Sequence, residues 1–246
     1  MYFIDSDDFI ELDTIEYLYN LCKKCKTDFA TCRSVDINDY NYSAKKSSEK
    51  VKIISNKEML EKILLWDNRA EAIWNKLIKK ELYDNLRMED RIITDIAFTY
   101  KLPLKTNEIV YSNQIKYYYL KHNDSISIKG REDLNRSIDL YSVILERYEI
   151  IKKIYPDFYI NEMGVDFVIA RLYLRKNPEI IAFLDKNKAI NLYKKLFTFK
   201  IVFCKHLKFR EKIKLILFRV NARFYIWLIN FYLKLKRRSK WLGFCR

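Results

Sequence analysis

Met1-Tyr2-Phe3-Ile4-Asp5-Ser6-Asp7-Asp8 opens the chain, and its reading decides the rest. Tyr2-Phe3-Ile4 has the make-up of a short buried strand, and it stops at three carboxylates within four positions. A strand that ends this way sets its carboxylates at the carboxyl end of a sheet, where open α/β sheets bind ligands. Crowded carboxylates repel one another and favour a cation between them. Hard oxygen donors suit Mg²⁺ or Mn²⁺. The plainer alternative is a solvated acidic turn that caps the next helix.

Working outward, strands and helices alternate. Ile15, Leu18, Tyr19 and Cys22 recur at helical spacing and predict a helix over residues 13–26, with Asp13 or Thr14 as its cap. Residues 28–33 (DFATCR) and 51–54 (VKII) read as strands, and polar residues 36–50 as an exposed loop. Ser55 with Glu58 forms a capping box that starts a helix running to residue 65. Met88-Glu89-Asp90 predicts a second helix start, with its acids in the first turn. Residues 108–119 read as a strand or hairpin, and residues 132–154 and 161–176 as helices separated by Pro156. From residue 189 onward the pattern is one or two basic amphipathic helices. The class is α/β, followed by a mainly helical region. The expected divisions are 1–130, 131–185 and 186–246.

Three further groups can carry chemistry, each with a structural alternative. Glu89 and Asp90 offer a general base for a substrate hydroxyl, or serve only the helix dipole. Trp74-Asn75-Lys76 can stack on a sugar and hydrogen-bond its hydroxyls, or combine a core Trp with surface polar residues. Lys121-His122, with Ser125 and Ser127, can meet a pyrophosphate, or lie on the surface as an ordinary polar loop.

Taken in order, DSDD at 5–8, IEYLY at 15–19, DFATC at 28–32, WNKL at 74–77, the Glu89-Asp90 pair and the aromatic segment closing on Ser125-Ile126-Ser127 resemble the bacterial family 2 glycosyltransferases of polysaccharide synthesis. The resemblance covers about residues 1–130. It implies a GT-A (Rossmann-like) fold and a metal-dependent, inverting transfer from a nucleotide sugar, with a UDP-sugar the implied donor. Asp5, Ser6, Asp7 and Asp8 match the family's DxD-type motif, which makes Asp7 and Asp5 the implied ligands of Mn²⁺ or Mg²⁺ and gives Asp5 and Asp8 a place beside the donor. Asp90, with Glu89, matches the base. Trp74, Asn75 and Lys76 match an acceptor segment, and Lys121 and His122 the pyrophosphate side. The implied acceptor is a glycan or a lipid-linked glycan. Family members carry further strands before this motif. The expectation is therefore a partial GT-A sheet with residues 2–4 as an exposed edge, inactive or incomplete as a transferase on its own. The alternative is a non-catalytic, membrane-associated remnant or interaction protein.

Charge divides the chain sharply. Residues 1–185 hold 29 Lys and Arg against 31 acids, whereas residues 186–246 hold 18 against Glu211 alone. Such a block points to an anionic partner. Its mixture of Phe, Tyr, Trp, Leu and Ile with Lys and Arg favours an anionic membrane surface over nucleic acid, and packing against the body is the remaining alternative. Arg219 and Arg223 interrupt the longest apolar stretch, so no spanning helix is expected. Cys22 and Cys25 form a CxxC within a helical pattern, without a second pair at zinc spacing, and free thiols are expected. The expected location is cytoplasmic, peripheral at the inner face of the cell membrane.

Overall fold

The computed structural model describes residues 1–39, 48–66, 70–121, 130, 133–175, 177–196, 200, 203, 209–225, 227–228 and 231. The protein is mixed α/β and divides into two compact units, Met1–Val143 and Ile144–Arg246.

The first unit is built on a mixed sheet. Strand β1 (Phe9–Ile10) follows the acidic turn and leads into helix α1 (Thr14–Cys25). Thr14, Leu18 and Leu21 are buried at helical spacing; Leu18 and Leu21 seat α1 against Ala30, Cys32 and Val110 of the sheet, and Thr14 Oγ1 donates to Lys116 O at 3.1 Å. Asp13 does not cap α1 with its side chain; its carboxylate pairs instead with Lys116 at 2.6 Å. The helix ends on Lys26 in the left-handed conformation (φ 54°), with its N–H bonded to Cys22 O and Lys23 O. That geometry usually falls to glycine. The chain holds only three glycines and uses other residues for it, Asn75 and Asn85 among them.

Strand β2 (Phe29–Ile37) is longer than its apolar start suggests. It is followed by β3 (Val51–Ser55), helix α2 (Asn56–Leu64), β4 (Lys76–Ile78), the short helix α3 (Thr94–Phe98) and the long strand β5 (Glu108–Leu120). Ser55 caps α2 by accepting a hydrogen bond from Glu58 N–H, as the sequence predicts. The strand order is β1-β5-β2-β4. β5 shares its other edge between β3, against Glu108 to Ser112, and β1, against Tyr117 and Tyr118. β2 and β5 run parallel, and the other pairs are antiparallel. Residues 2–4 form no full strand. Tyr2 makes one bridge to Leu77, while Ile78 N–H donates to Met1 O, so the chain start lies along the β4 edge.

The expected helix start at Met88-Glu89-Asp90 is not formed. Helix α3 begins at Thr94, where Ile93 N–H donates to the Asp139 carboxylate at 3.1 Å. Glu89 is held in the preceding loop by Arg91 (2.6 Å) and Lys101 (3.0 Å). Acidic residues held by side-chain cations look the same in sequence as acidic residues in a first helical turn.

Helix α4 (Leu134–Ile154) contains the division between the units. The second unit continues with α5 (Tyr159–Leu174), α6 (Pro178–Lys186), α7 (Ala189–Leu196) and α8 (Phe209–Val220). α5 is its centre, with Val165, Val168, Ile169 and Leu172 all fully buried. Phe218 of α8 packs edge-on against Tyr193 of α7 at 4.7 Å, and Tyr193 Oη donates to Leu215 O at 2.6 Å. No helix among the described residues is long and apolar enough to cross a membrane.

Asn75→Ala removes a left-handed asparagine and a buried amide that donates to Cys32 O at 2.7 Å. It is expected to destabilise the first unit by roughly 2–4 kcal/mol, read by urea unfolding. A second prediction concerns Asp166 on α5, which is 1% exposed and has no hydrogen-bond partner on either carboxyl oxygen. Burial foremost, then Glu162, pushes its pKa up to about 9, and Arg219 opposes the shift. The folded chain therefore keeps a proton that the unfolded chain releases above about pH 4. Stability is lost as pH rises from there towards 9. Asp166→Asn removes this penalty, so its melting temperature should exceed that of the parent at pH 8 by more than at pH 5. A constant gap across that range would refute this reading.

Candidate functional site

The acidic turn is fixed by the far end of β5. Asp8 accepts hydrogen bonds from Tyr117 Oη at 2.6 Å and from Leu120 N–H at 2.9 Å. Asp8 N–H in turn donates to Asp5 O at 3.1 Å, and Asp5 N–H donates to Tyr117 Oη at 3.2 Å. The turn is thus closed on itself and tied to a strand more than a hundred residues away. These bonds gather Asp5, Asp7 and Asp8 so that one oxygen from each lies within 4.8 Å of the others. Asp8 is half-buried and engaged with β5, whereas Asp5 and Asp7 are exposed.

Asp5 also lines a cleft of about 710 Å³. Trp66, Glu71, Trp74, Asp95, Tyr119 and Arg136 contribute to the same wall. Partial burial foremost, then the charges of Asp8, Asp95 and Asp7, pushes the Asp5 carboxyl up to about 6. Asp95 is raised by burial too, against the opposing effects of the Ile73 N–H bond and Lys76. The wall therefore carries two carboxyls, each of which holds its proton more tightly than an ordinary aspartate.

The sequence-predicted residues fall into separate groups. Asp5, Asp7 and Asp8 come together. Trp74 reaches the cleft wall, but it is 4% exposed and stacks on Tyr117 (4.4 Å) and Tyr119 (5.7 Å). Asn75 and Lys76 do not line the cleft. Lys76 is fully buried and donates to Ala72 O (2.6 Å), Asn75 Oδ1 (2.7 Å) and, more weakly, Trp74 O (3.4 Å). Burial lowers its pKa to about 7, against the opposing effects of Cys32 and Asp95. Both residues hold the wall from behind, because every polar atom of the pair is drawn towards backbone or towards its neighbour. Glu89 and Asp90 are exposed on the loop before α3, outside the cleft lining. Lys121 pairs with Asp36 at 2.7 Å just beyond β5. His122, Ser125 and Ser127 lie outside the described residues.

Four contributors carry little signal in sequence. Tyr117 and Tyr119 alternate along β5, and that period places them on one face together. Asp95 and Arg136 sit within helical patterns and have no motif of their own.

No family model matches the chain, and no curated protein matches it. What the site can do rests on its chemistry. Asp5 and Asp7 offer hard, accessible oxygens in a turn pre-shaped by Asp8, a donor set that fits Mg²⁺ or Mn²⁺. The adjoining cleft is large enough for a small-molecule ligand.

A metal ion competes with the proton on Asp5. Mn²⁺ affinity should therefore rise with pH between about 5 and 7 and level off above, tracked by titration calorimetry. Asp5→Asn should flatten this dependence and weaken binding. A profile identical to the parent's would exclude Asp5 as a ligand.

Proposed function

We propose that the first unit binds a nucleotide-sugar diphosphate through a divalent cation and transfers the sugar to a glycan or lipid-linked acceptor, as family 2 glycosyltransferases do on a GT-A fold. The observation that carries this reading is the convergence of Asp5, Asp7 and Asp8 at a turn whose first carboxylate also lines a 710 Å³ cleft. The ordered series of motifs from DSDD to Ser127 adds to it.

In this reading Asp5 and Asp7 hold the cation, and Asp8 keeps the turn in place. Bound Mn²⁺ or Mg²⁺ supplies positive charge to the diphosphate. The base is assigned to Asp95, which faces the cleft, and not to Asp90, which stands outside its lining. A raised pKa suits proton abstraction from a hydroxyl. Asp95 takes the acceptor proton while the acceptor oxygen bonds to the anomeric carbon. The bond to the diphosphate oxygen breaks, and the diphosphate leaves with the electron pair. Attack from the opposite face inverts the centre. Trp74 and Tyr119 give the wall an apolar lining, and Arg136 adds a cation to it. Acceptors carried on lipid place the protein peripherally at the cytoplasmic face of a membrane.

A non-catalytic binding role is the second reading. It is favoured by the inward commitment of Asn75 and Lys76 and the position of Asp90, since three sequence-matched residues then touch no ligand.

Calorimetry of the chain with UDP and Mn²⁺ separates the readings when followed by a sugar-transfer assay. Binding is expected to require Mn²⁺ and to be lost in Asp7→Ala. Transfer should fall by about 10²–10⁴-fold in Asp95→Asn and little in Asp90→Asn. Metal-dependent binding without turnover would leave the non-catalytic role. No binding in the presence of Mn²⁺ would remove the nucleotide-sugar reading altogether.

A further inference from the structure

Helix α8 and the turns that follow it are apolar on two sides. Leu215, Phe218, Ala222 and Tyr225 face inward and are buried in the second unit. Phe209, Ile213, Leu217, Val220, Phe224 and Trp227 recur at every third or fourth position and face outward. Phe209 and Val220 are each 77% exposed and Trp227 57%. The helix breaks at Asn221, whose side chain accepts from Phe224 N–H at 2.9 Å and restarts helical turns. The outward row survives the break. Phe224 stacks on Trp227, and Trp227 on Phe231, each at 5.7 Å.

A continuous outward stripe of this kind is rare on a protein surface that faces only water. Its surroundings select the occupant. Lys212 and Lys214 bracket Ile213, and Arg223 precedes Phe224. The segment 186–246 carries 18 basic residues against one acid. Aromatic and aliphatic side chains in a row beside Lys and Arg match the interface of an anionic bilayer, with apolar groups entering the acyl boundary and cations meeting headgroup phosphates. A protein partner for so basic a face would have to be both acidic and apolar. Single-stranded nucleic acid would use the cations and aromatics but leave Ile213, Leu217 and Val220 in water.

We propose that the Phe209–Trp227 stripe is a docking face for anionic lipid, lying in the plane of the membrane surface. This gives a named face to the membrane placement proposed above and deepens that reading, but it is argued from the exposed stripe and its cations, so it can hold whether or not the first unit transfers sugar. α8 is anchored to its unit by Phe218 and Tyr225, and the same helix presents its other side to the bilayer. The aromatic end, Phe224 with Trp227, supplies depth. Lys214 and Arg223 supply selectivity for anionic headgroups.

The test is co-sedimentation of the full chain with vesicles of phosphatidylcholine alone or with about 30% phosphatidylglycerol, a composition that gives an anionic surface. Pelleting is expected with the anionic vesicles and not with the neutral ones. Phe224→Ser with Trp227→Ser should weaken it by about tenfold or more, since two large apolar side chains then stay in water. Lys214→Gln with Arg223→Gln should weaken it roughly tenfold. All four positions are exposed, and matched circular dichroism spectra confirm that the variants fold. Trp227→Phe keeps an apolar ring and should retain pelleting while losing the fluorescence quenched by brominated lipid. Asp7→Ala should pellet like the parent, which keeps this result separate from the cleft chemistry. Equal pelleting by the Phe224/Trp227 variant and the parent overturns the proposal. So does failure to bind anionic vesicles by a chain that binds single-stranded oligonucleotides.

Discussion

The Asp8 carboxylate makes the bonds on which the first unit's site depends. One oxygen accepts from the backbone of Leu120 and the other from the hydroxyl of Tyr117, joining the start of the chain to the end of its longest strand. A hydrogen bond to a charged group is worth about 1.5–3 kcal/mol, enough to hold a short turn with no regular structure of its own. Asp5 comes to the cleft, with Asp7 next to it on the turn, because Asp8 does not leave β5. The same Tyr117 stacks on Trp74, so the acidic turn and the aromatic wall share one support. The ring is completely buried while its hydroxyl serves the turn. Burial and the carboxylate it meets raise its pKa, so it remains a donor across the ordinary pH range.

Behind that support lies a chain of buried ionisable groups. Lys76 faces backbone carbonyls and the Asn75 amide, and it is influenced by Asp95 and Cys32. Complete burial disfavours the ammonium form and outweighs the opposing charges of Cys32 and Asp95, so the group titrates near 7. Asp95 is influenced in turn by Lys76, and Asp5 by Asp95. The charge at each of these positions therefore acts on its neighbour, up to the two carboxyls in the cleft. A single added charge, such as a divalent cation between Asp5 and Asp7, would favour the ionised form of both.

Much of this fold was legible wherever local chemistry decided it. The period of Ile15, Leu18, Tyr19 and Cys22 located α1, although its buried face is Thr14, Leu18 and Leu21 and leaves Ile15 and Tyr19 exposed, and the Ser55 and Glu58 pair located α2, because both signals lie within a few turns of helix. Legibility failed where distant groups decided. Phe9-Ile10 is a strand only because Tyr117 and Tyr118 lie opposite it, and two residues have no period to read. Arg33 and Asp36 extend β2 well past its apolar start because β5 continues alongside. The acids at 89 and 90 resemble a helix start, but Arg91 and Lys101 claim Glu89 and Asp139 caps the helix at Ile93. The site shows the same division. The carboxylate triplet could be read from its own spacing. Asp95 could not, since its place in the cleft follows from where α3 begins. Nor does anything in WNK announce that Asn75 adopts a left-handed backbone and that Lys76 turns inward.

The second unit poses a different physical problem. A helix buried on one face in a water-soluble domain normally carries polar groups on the other, because that face meets solvent. α8 departs from this rule at Ile213, Leu217 and Val220, and the turns after Asn221 depart further at Phe224 and Trp227. The departure is not a loss of pattern. Inward and outward residues each keep their own three- and four-residue spacing, and the cations lie among them. The buried side also contains Asp166, a carboxyl without a hydrogen bond, with Arg219 of α8 near enough to lower its pKa. On the proposed docking, α8 meets two environments at once. The α5–α7 core satisfies its inward side, and an anionic bilayer surface has the composition that its outward side would match.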